Sequence, residues 1–239
     1  MFSIISVISM HTECQDFDIL NNKMDTTENS QKKHSLLRSG SALSLLTFGS
    51  RILGLMREMT KAALLGTTAL SDAFSVAFMI PNLFRRLFAE GSIAVAFIPT
   101  LKEHLLEDDK VKTKEFISSI LTVLTFFVSV FVVISIIVVP YIIPIFNMVE
   151  FDEAVFLTRL MFPFLAFMSI AALFQGILNC VHVFAPSGFA PIILNIIIIV
   201  CAYGLAPYTA NPARAMAYGV LIGGTFVAAI QLPFVWRKG

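Results

Sequence analysis

The sequence predicts an all-α membrane protein with about six transmembrane helices. Composition is the first reason. Of 239 residues, 57% are hydrophobic and 14% charged, against about 45–50% and about 25% in soluble domains. Mean hydropathy is +0.83. The second reason is a series of apolar runs, each close to the roughly 20 helical residues that cross a hydrocarbon core. The third is that the connections between those runs alternate between lysine-rich and lysine-free, as the positive-inside bias requires.

Residues 1–36 come before the first run. Met1–Met10 is apolar but short, with no basic approach and no small-residue cleavage site, so it is not read as a signal peptide. Residues 11–36 are polar, with Glu13, Asp16, Asp18, Asp25 and Glu28. Such a segment buries too little apolar surface to fold alone, and 1–36 is expected to be a disordered cytoplasmic tail. Residues 37–239 then form one transmembrane domain. Its helices are expected at Ala42–Leu65, Leu70–Leu101, Phe116–Phe146, Ala154–Phe184, Phe189–Pro207 and Ala215–Trp236.

The second-to-third connection carries Lys102, Lys110, Lys112 and Lys114, and the two ends of the domain carry Lys32, Lys33, Arg38, Arg237 and Lys238. The third-to-fourth connection has Glu150, Asp152 and Glu153 without a base, and the fifth-to-sixth has only Arg214. Both termini are therefore expected in the cytoplasm. Gly219, Gly223 and Gly224 offer a small-residue packing face in the sixth span. Prolines at 81, 99, 140, 144, 163, 191 and 233 are either ordinary kinks or hinges of a moving transporter.

The first two spans carry charges that an ordinary lipid-facing helix lacks. Arg51, Arg57, Glu58 and Lys61 lie in the first, and Asp72, Arg85, Arg86 and Glu90 in the second. An arginine at mid-bilayer costs about 2.5–3.5 kcal/mol, so four facing lipid would cost about 10–14 kcal/mol. They must line a wet cavity, pair with carboxylates, or snorkel. Some pairs share a helix face: Arg86 with Glu90, Glu58 with Lys61, and Arg51 with Glu58. Yet five bases face three acids here, which leaves two positive charges over. Guanidinium groups stay charged, are weakly hydrated and fork onto two phosphate oxygens, so the surplus suits a phosphate-bearing substrate.

Other chemistry finds little support. Cys14, Cys180 and Cys201 form no CxxC pair, and the four histidines lack metal-ligand spacing. There is no Walker motif, HExxH or Ser/His/Asp set. No catalytic residue, metal, cofactor or nucleic-acid partner is expected.

At this point the motifs become recognisable. Ser50–Glu58, reading SRILGLMRE, resembles the opening motif of the MurJ (MviN) family of bacterial lipid II flippases. That family belongs to the multidrug/oligosaccharidyl-lipid/polysaccharide exporter superfamily. Ser71-Asp72-Ala73-Phe74, Pro81–Gly91 (PNLFRRLFAEG) and Ala96-Phe97-Ile98-Pro99 resemble its second-helix signature. Phe189-Ala190-Pro191, Leu194-Asn195 and Gln231-Leu232-Pro233 are similar as well. The resemblance covers roughly 40–239. It implies a lipid-linked peptidoglycan precursor as substrate, flipped across the bacterial inner membrane by alternating access. It implies that Arg51, Arg57, Arg85 and Arg86 bind the pyrophosphate, with Glu58, Asp72 and Glu90 as charge-pairing or gating acids. It also implies about fourteen helices in two lobes, of which this sequence supplies one. A separate C-terminal lobe is then the expected partner. The alternatives are an exporter of another polyprenyl-pyrophosphate sugar, or a non-transporting membrane remnant. The arginine surplus disfavours a cationic cargo, because like charges repel.

Overall fold

A computed structural model describes residues 29–87, 100–101, 110–181, 183 and 185–236. Among these the chain is helical, with no strand. In order the helices are α1 (Asn29–Leu65), α2 (Ala69–Arg85), α3 (Lys110–Ile142), α4 (Phe151–Met161), α5 (Pro163–Cys180), α6 (Ala185–Gly204) and α7 (Pro212–Trp236). Short 3₁₀ turns follow α3 at Ile143–Phe146 and α6 at Ala206–Tyr208. Three stretches are long and apolar enough to span a membrane: Val111–Phe146, Phe151–Cys180 and Pro212–Val235. Gly188–Gly204 is a shorter apolar helix. The charges of α1 and α2 lower their hydropathy.

Several boundaries differ from those expected. α1 starts at Asn29, inside the segment assigned to the polar tail, and 1–28 lie outside the described residues. α3 starts at Lys110, six residues before the expected start at Phe116, because Lys and Glu are good helix formers. The second span is described only as far as Leu87 and again at 100–101. The fourth expected helix is divided at Phe162. Pro163 lacks an amide hydrogen, so it starts a new helix at its N1 position. Phe162 keeps helical angles, φ −57° and ψ −40°, so α4 and α5 form one bent span rather than two.

Local chemistry sets the ends. α1 stops at Leu65 because Gly66 turns left-handed, φ 59°, while its N–H bonds to the Ala62 carbonyl at 3.0 Å. This is the αL termination that glycine makes cheaply. Thr68 then leads directly into α2, so α1 and α2 form a tight antiparallel hairpin.

α7 is the hub of the packing and lies against α6, α5 and α4. α1 rests on α6, α2 on α4, and α3 on α5. The glycine face read from the sequence is where α7 meets its neighbours. A Cβ on Gly219 would lie 3.0 Å from the Ile198 Cα, and one on Gly224 would lie 2.6 Å from Phe164 Cδ2. Any side chain there would push the helices apart, as small-residue packing in membranes predicts. Phe162, Phe164, Leu165, Leu173 and Met216 fill the centre.

One proline has a partner outside its own helix. Pro140 lies inside α3 and cannot supply the amide hydrogen that the Ile136 carbonyl would otherwise accept. Arg159 of α4 fills the gap: its Nε donates to Ile136 O at 3.0 Å.

Candidate anion site

The α1–α2 hairpin brings charges from both helices to one place. The antiparallel register sets Lys61 against Ser75, with Nζ donating to Oγ at 2.7 Å. One turn along, the Arg57 guanidinium lies over the Phe78 ring, 5.0 Å from its centre. That contact suits a cation over the negative face of an aromatic ring. Arg57 and Lys61 are four apart, so both point from the same face of α1.

These two cations share a cavity of about 190 Å³ lined by Glu58, Phe74, Ser75 and Phe78 and backed by Ile198, Met216 and Val220. Pockets enclosing drug-sized ligands run about 300–1,000 Å³. This one has room for the charged part of a larger molecule. Among the described residues Glu58 is the single carboxylate on its wall. It accepts from Arg57 at 2.6 Å and lies 3.9 Å from Lys61. Arg57 and Lys61 are 21% and 22% exposed and Glu58 is 53% exposed, so the bases are set deeper than the acid that balances them. The wall carries one positive charge in excess.

The other charges read from the sequence fall elsewhere. Arg51 is exposed and makes no polar contact among the described residues; Glu58, its expected partner, bonds Arg57 instead. Arg85 is half-buried and its Nε donates to Asn82 Oδ1 at 2.8 Å. Arg86 and Asp72 are exposed, and Glu90 lies outside the described residues. None of Arg51, Arg85, Arg86 and Asp72 lines the cavity that holds Arg57. From Lys61 through Arg57 to Arg51 the bases climb α1 over about 15 Å, at 1.5 Å per residue.

Lys61, Ser75 and Phe78 are the members that residue-by-residue reading does not collect. Lys61 reads there as one base of the first span, spaced to pair with Glu58. The signal available was its spacing of four from Arg57; its contact with Ser75 depends on the hairpin register.

The remaining membrane-level arginines are already occupied. Arg214, at the start of α7, forks onto Glu153 of α4, with Nε to Oε2 at 3.1 Å and a second bond from Nη2 to Oε1. Its guanidinium also covers Phe156 at 4.2 Å. That pair is neutral as a unit and ties two helix ends together. Asn195 of α6 reaches the Ser50 carbonyl of α1 at 3.5 Å. Gln231 is buried, and neither its nitrogen nor its oxygen has a hydrogen-bond partner among the described residues. Among the described residues no cluster of His, Cys, Asp and Glu could hold a metal.

Known proteins resemble this chain in sequence and in fold. The family model described as "Lipid II flippase MurJ" matches residues 61–239. A Treponema pallidum (strain Nichols) protein named "Probable lipid II flippase MurJ" is 49% identical over 215 residues, covering 87% of this chain and 41% of that protein. The "Lipid II flippase MurJ" of Burkholderia cenocepacia is 36% identical, over 83% of this chain and 40% of its own length. A solved structure titled "Lipid II flippase MurJ, inward closed conformation" superposes with a TM-score of 0.67 at 27% identity, covering 80% of this chain and 41% of that one. The chain thus spans about two-fifths of the length of these relatives. Its multi-pass helical fold, its charged hairpin and its match over most of its length place it in one family: the chain belongs to the MurJ lipid II flippases.

Proposed function

We propose that this chain forms one lobe of a transporter that moves lipid II, a polyprenyl-pyrophosphate-linked peptidoglycan precursor, from the cytoplasmic to the outer leaflet of the bacterial inner membrane. The observation that carries this reading is the cavity holding Arg57 and Lys61 against a single, more exposed Glu58. A surplus cation at membrane depth is costly unless an anion visits it, and a forked guanidinium suits phosphate oxygens. Ser75, whose hydroxyl donates to the Ser71 carbonyl at 2.6 Å, accepts from Lys61 and positions it, and Phe74 and Phe78 close the sides.

Arg51 on α1 and Arg85 on α2 extend the positive path along the two helices. A pyrophosphate moving along that path exchanges one set of bases for the next without being stranded in hydrocarbon. Asp72, Glu58 and Glu90 serve as counter-charges that hold the path when it is empty. Pro81, inside α2, and Pro163, at the start of α5, are the points at which the lobe bends during alternating access.

One lobe lines one side of a central path, so transport requires a second lobe. The lysine-rich start of α3 and the acidic start of α4 support cytoplasmic termini. The test is complementation of a flippase-depleted bacterium by this chain, alone and with a C-terminal lobe supplied in trans. Growth only with both lobes is expected. Growth with neither, at normal membrane levels of both, would refute the assignment.

A further inference from the structure

Three helices meet at small residues and then turn polar groups toward one another. Ala171 of α5, Ala190 of α6, and Val227 and Ala228 of α7 pack into one buried cluster. Close contacts on either side of it set the register. α6 and α7 run antiparallel: a Cβ on Gly219 would lie 3.0 Å from the Ile198 Cα, and one on Gly223 would lie 3.6 Å from the Leu194 Cα. The next step along that seam brings Val227 and Ala228 to Ala190. α5 and α7 run parallel, with Phe164 against Gly224 and Ala171 against Val227 and Ala228.

One turn further in the same direction, each helix offers a polar group. On α7 it is Gln231, on the same face as Gly224, Val227 and Ala228. Gln231 is 1% exposed, and neither its Nε2 nor its Oε1 has a hydrogen-bond partner among the described residues. On α5 it is Gln175, four residues past Ala171, half-buried and without a hydrogen bond among the described residues. On α6 it is a backbone carbonyl. Pro191 lies inside α6 and has no amide hydrogen, so the Ser187 carbonyl, one turn before Ala190, loses its usual donor.

A buried amide without a partner is costly. Buried polar groups that converge without touching are the places where proteins hold internal water. We propose that Gln231, Gln175 and the Ser187 carbonyl bind two such waters where α5, α6 and α7 meet. One accepts from Gln231 Nε2 and donates to the Ser187 carbonyl. The other accepts from Gln175 Nε2 and donates to Gln231 Oε1. These three groups are all neutral, so a bare cation would be buried among them without a counter-charge. The site shares no residue with the Arg57 cavity. Gln231 lies eleven residues, about 16 Å, along α7 from Val220 at the back of that cavity, so the proposal does not depend on what the cavity carries.

The test joins structure to stability, on the full chain in detergent. A map of the parent chain fine enough to show ordered water should place it within hydrogen-bond distance of Gln231 and of the Ser187 carbonyl. That reading does not depend on any variant folding. Gln231→Met, close in volume, should raise the unfolding equilibrium constant roughly fivefold, the scale of one buried hydrogen bond. A dry Gln231 would give the opposite sign, because methionine would remove an unsatisfied amide. Pro191→Ala returns an amide hydrogen to the Ser187 carbonyl, so Gln231→Met should cost less in that background. A more stable Gln231→Met variant, an equal cost in both backgrounds, or a map with no water at Gln231 would overturn the proposal. So would a stabilisation by sodium over potassium that Gln231→Met abolishes, which would put a cation in place of water.

Discussion

Replacing Arg159 by methionine should weaken the fold in a way that depends on a residue on another helix. Arg159 Nε donates to the Ile136 carbonyl at 3.0 Å, and that carbonyl is free because Pro140 has no amide hydrogen. In hydrocarbon no water replaces a lost donor, but the unfolded chain in the membrane finds other partners. Measured side-chain bonds in membranes are accordingly worth about 0.6–2 kcal/mol. The single variant also removes a charge from the span, which stabilises by an amount unrelated to the bond. The informative number is therefore the coupling in a double-mutant cycle with Pro140→Ala. Alanine returns the amide hydrogen to Ile136, so Arg159 has nothing left to satisfy. Equilibrium unfolding in mixed micelles, followed by circular dichroism, should give a coupling of about 1 kcal/mol between Arg159→Met and Pro140→Ala. Costs that add within about 0.3 kcal/mol would show that the contact is incidental.

Three further outcomes follow from the packing and the charges. Gly219→Ala should destabilise by about 1–3 kcal/mol in the same unfolding assay, because the new Cβ meets the Ile198 backbone at 3.0 Å; an unchanged midpoint would mean that α6 and α7 are not packed as described. In a complete transporter carrying this lobe, Arg57→Lys should retain only part of the flipping rate of the parent, since the charge stays and the fork is lost; full activity, with protein levels matched by immunoblot, would remove the fork from the account. Collapsing an inside-negative membrane potential should slow outward flipping in liposomes, because each negative charge moved outward gains about 2.3 kcal/mol per 100 mV; a rate indifferent to potential would mean that the moving step carries no net charge.

Much of the fold was legible because hydrophobic length is nearly sufficient to find a membrane helix. Phe116–Phe146 is the clearest case, without a charged residue over its whole length. Helix starts were less legible. Lys110–Glu115 and Asn29–Leu36 are helical without being apolar, and a search for apolar runs passes over them. The bend at Pro163 was visible only as one proline among seven. Its difference from Pro140 is positional: Pro163 begins a helix, whereas Pro140 lies inside one and takes a partner from α4. At the site, the surplus of bases was countable from residues 51–90, whereas the i,i+4 spacing that puts Arg57 and Lys61 on one face was a signal the count passed over. The grouping was not countable. It depends on the register of α1 against α2, which the turn at Gly66–Thr68 sets, and that register separates Arg57 and Lys61 from Arg51 and Arg85. Arg214 reads in sequence as a lone base in a loop; its acid, Glu153, is 61 residues away.

The central claim is that the cavity holding Arg57 and Lys61 binds the pyrophosphate of a polyprenyl lipid. It is tested most directly by equilibrium binding of a polyprenyl pyrophosphate to the purified chain in detergent, with the matching polyprenyl alcohol as control. The account predicts that the pyrophosphate binds and the alcohol does not compete. It predicts that Arg57→Ala and Lys61→Ala each weaken binding roughly tenfold, the scale of one charge-assisted hydrogen bond, while Arg214→Ala leaves affinity unchanged in protein of matched helicity. Equal affinity of the parent and the Arg57→Ala, Lys61→Ala double variant would contradict it.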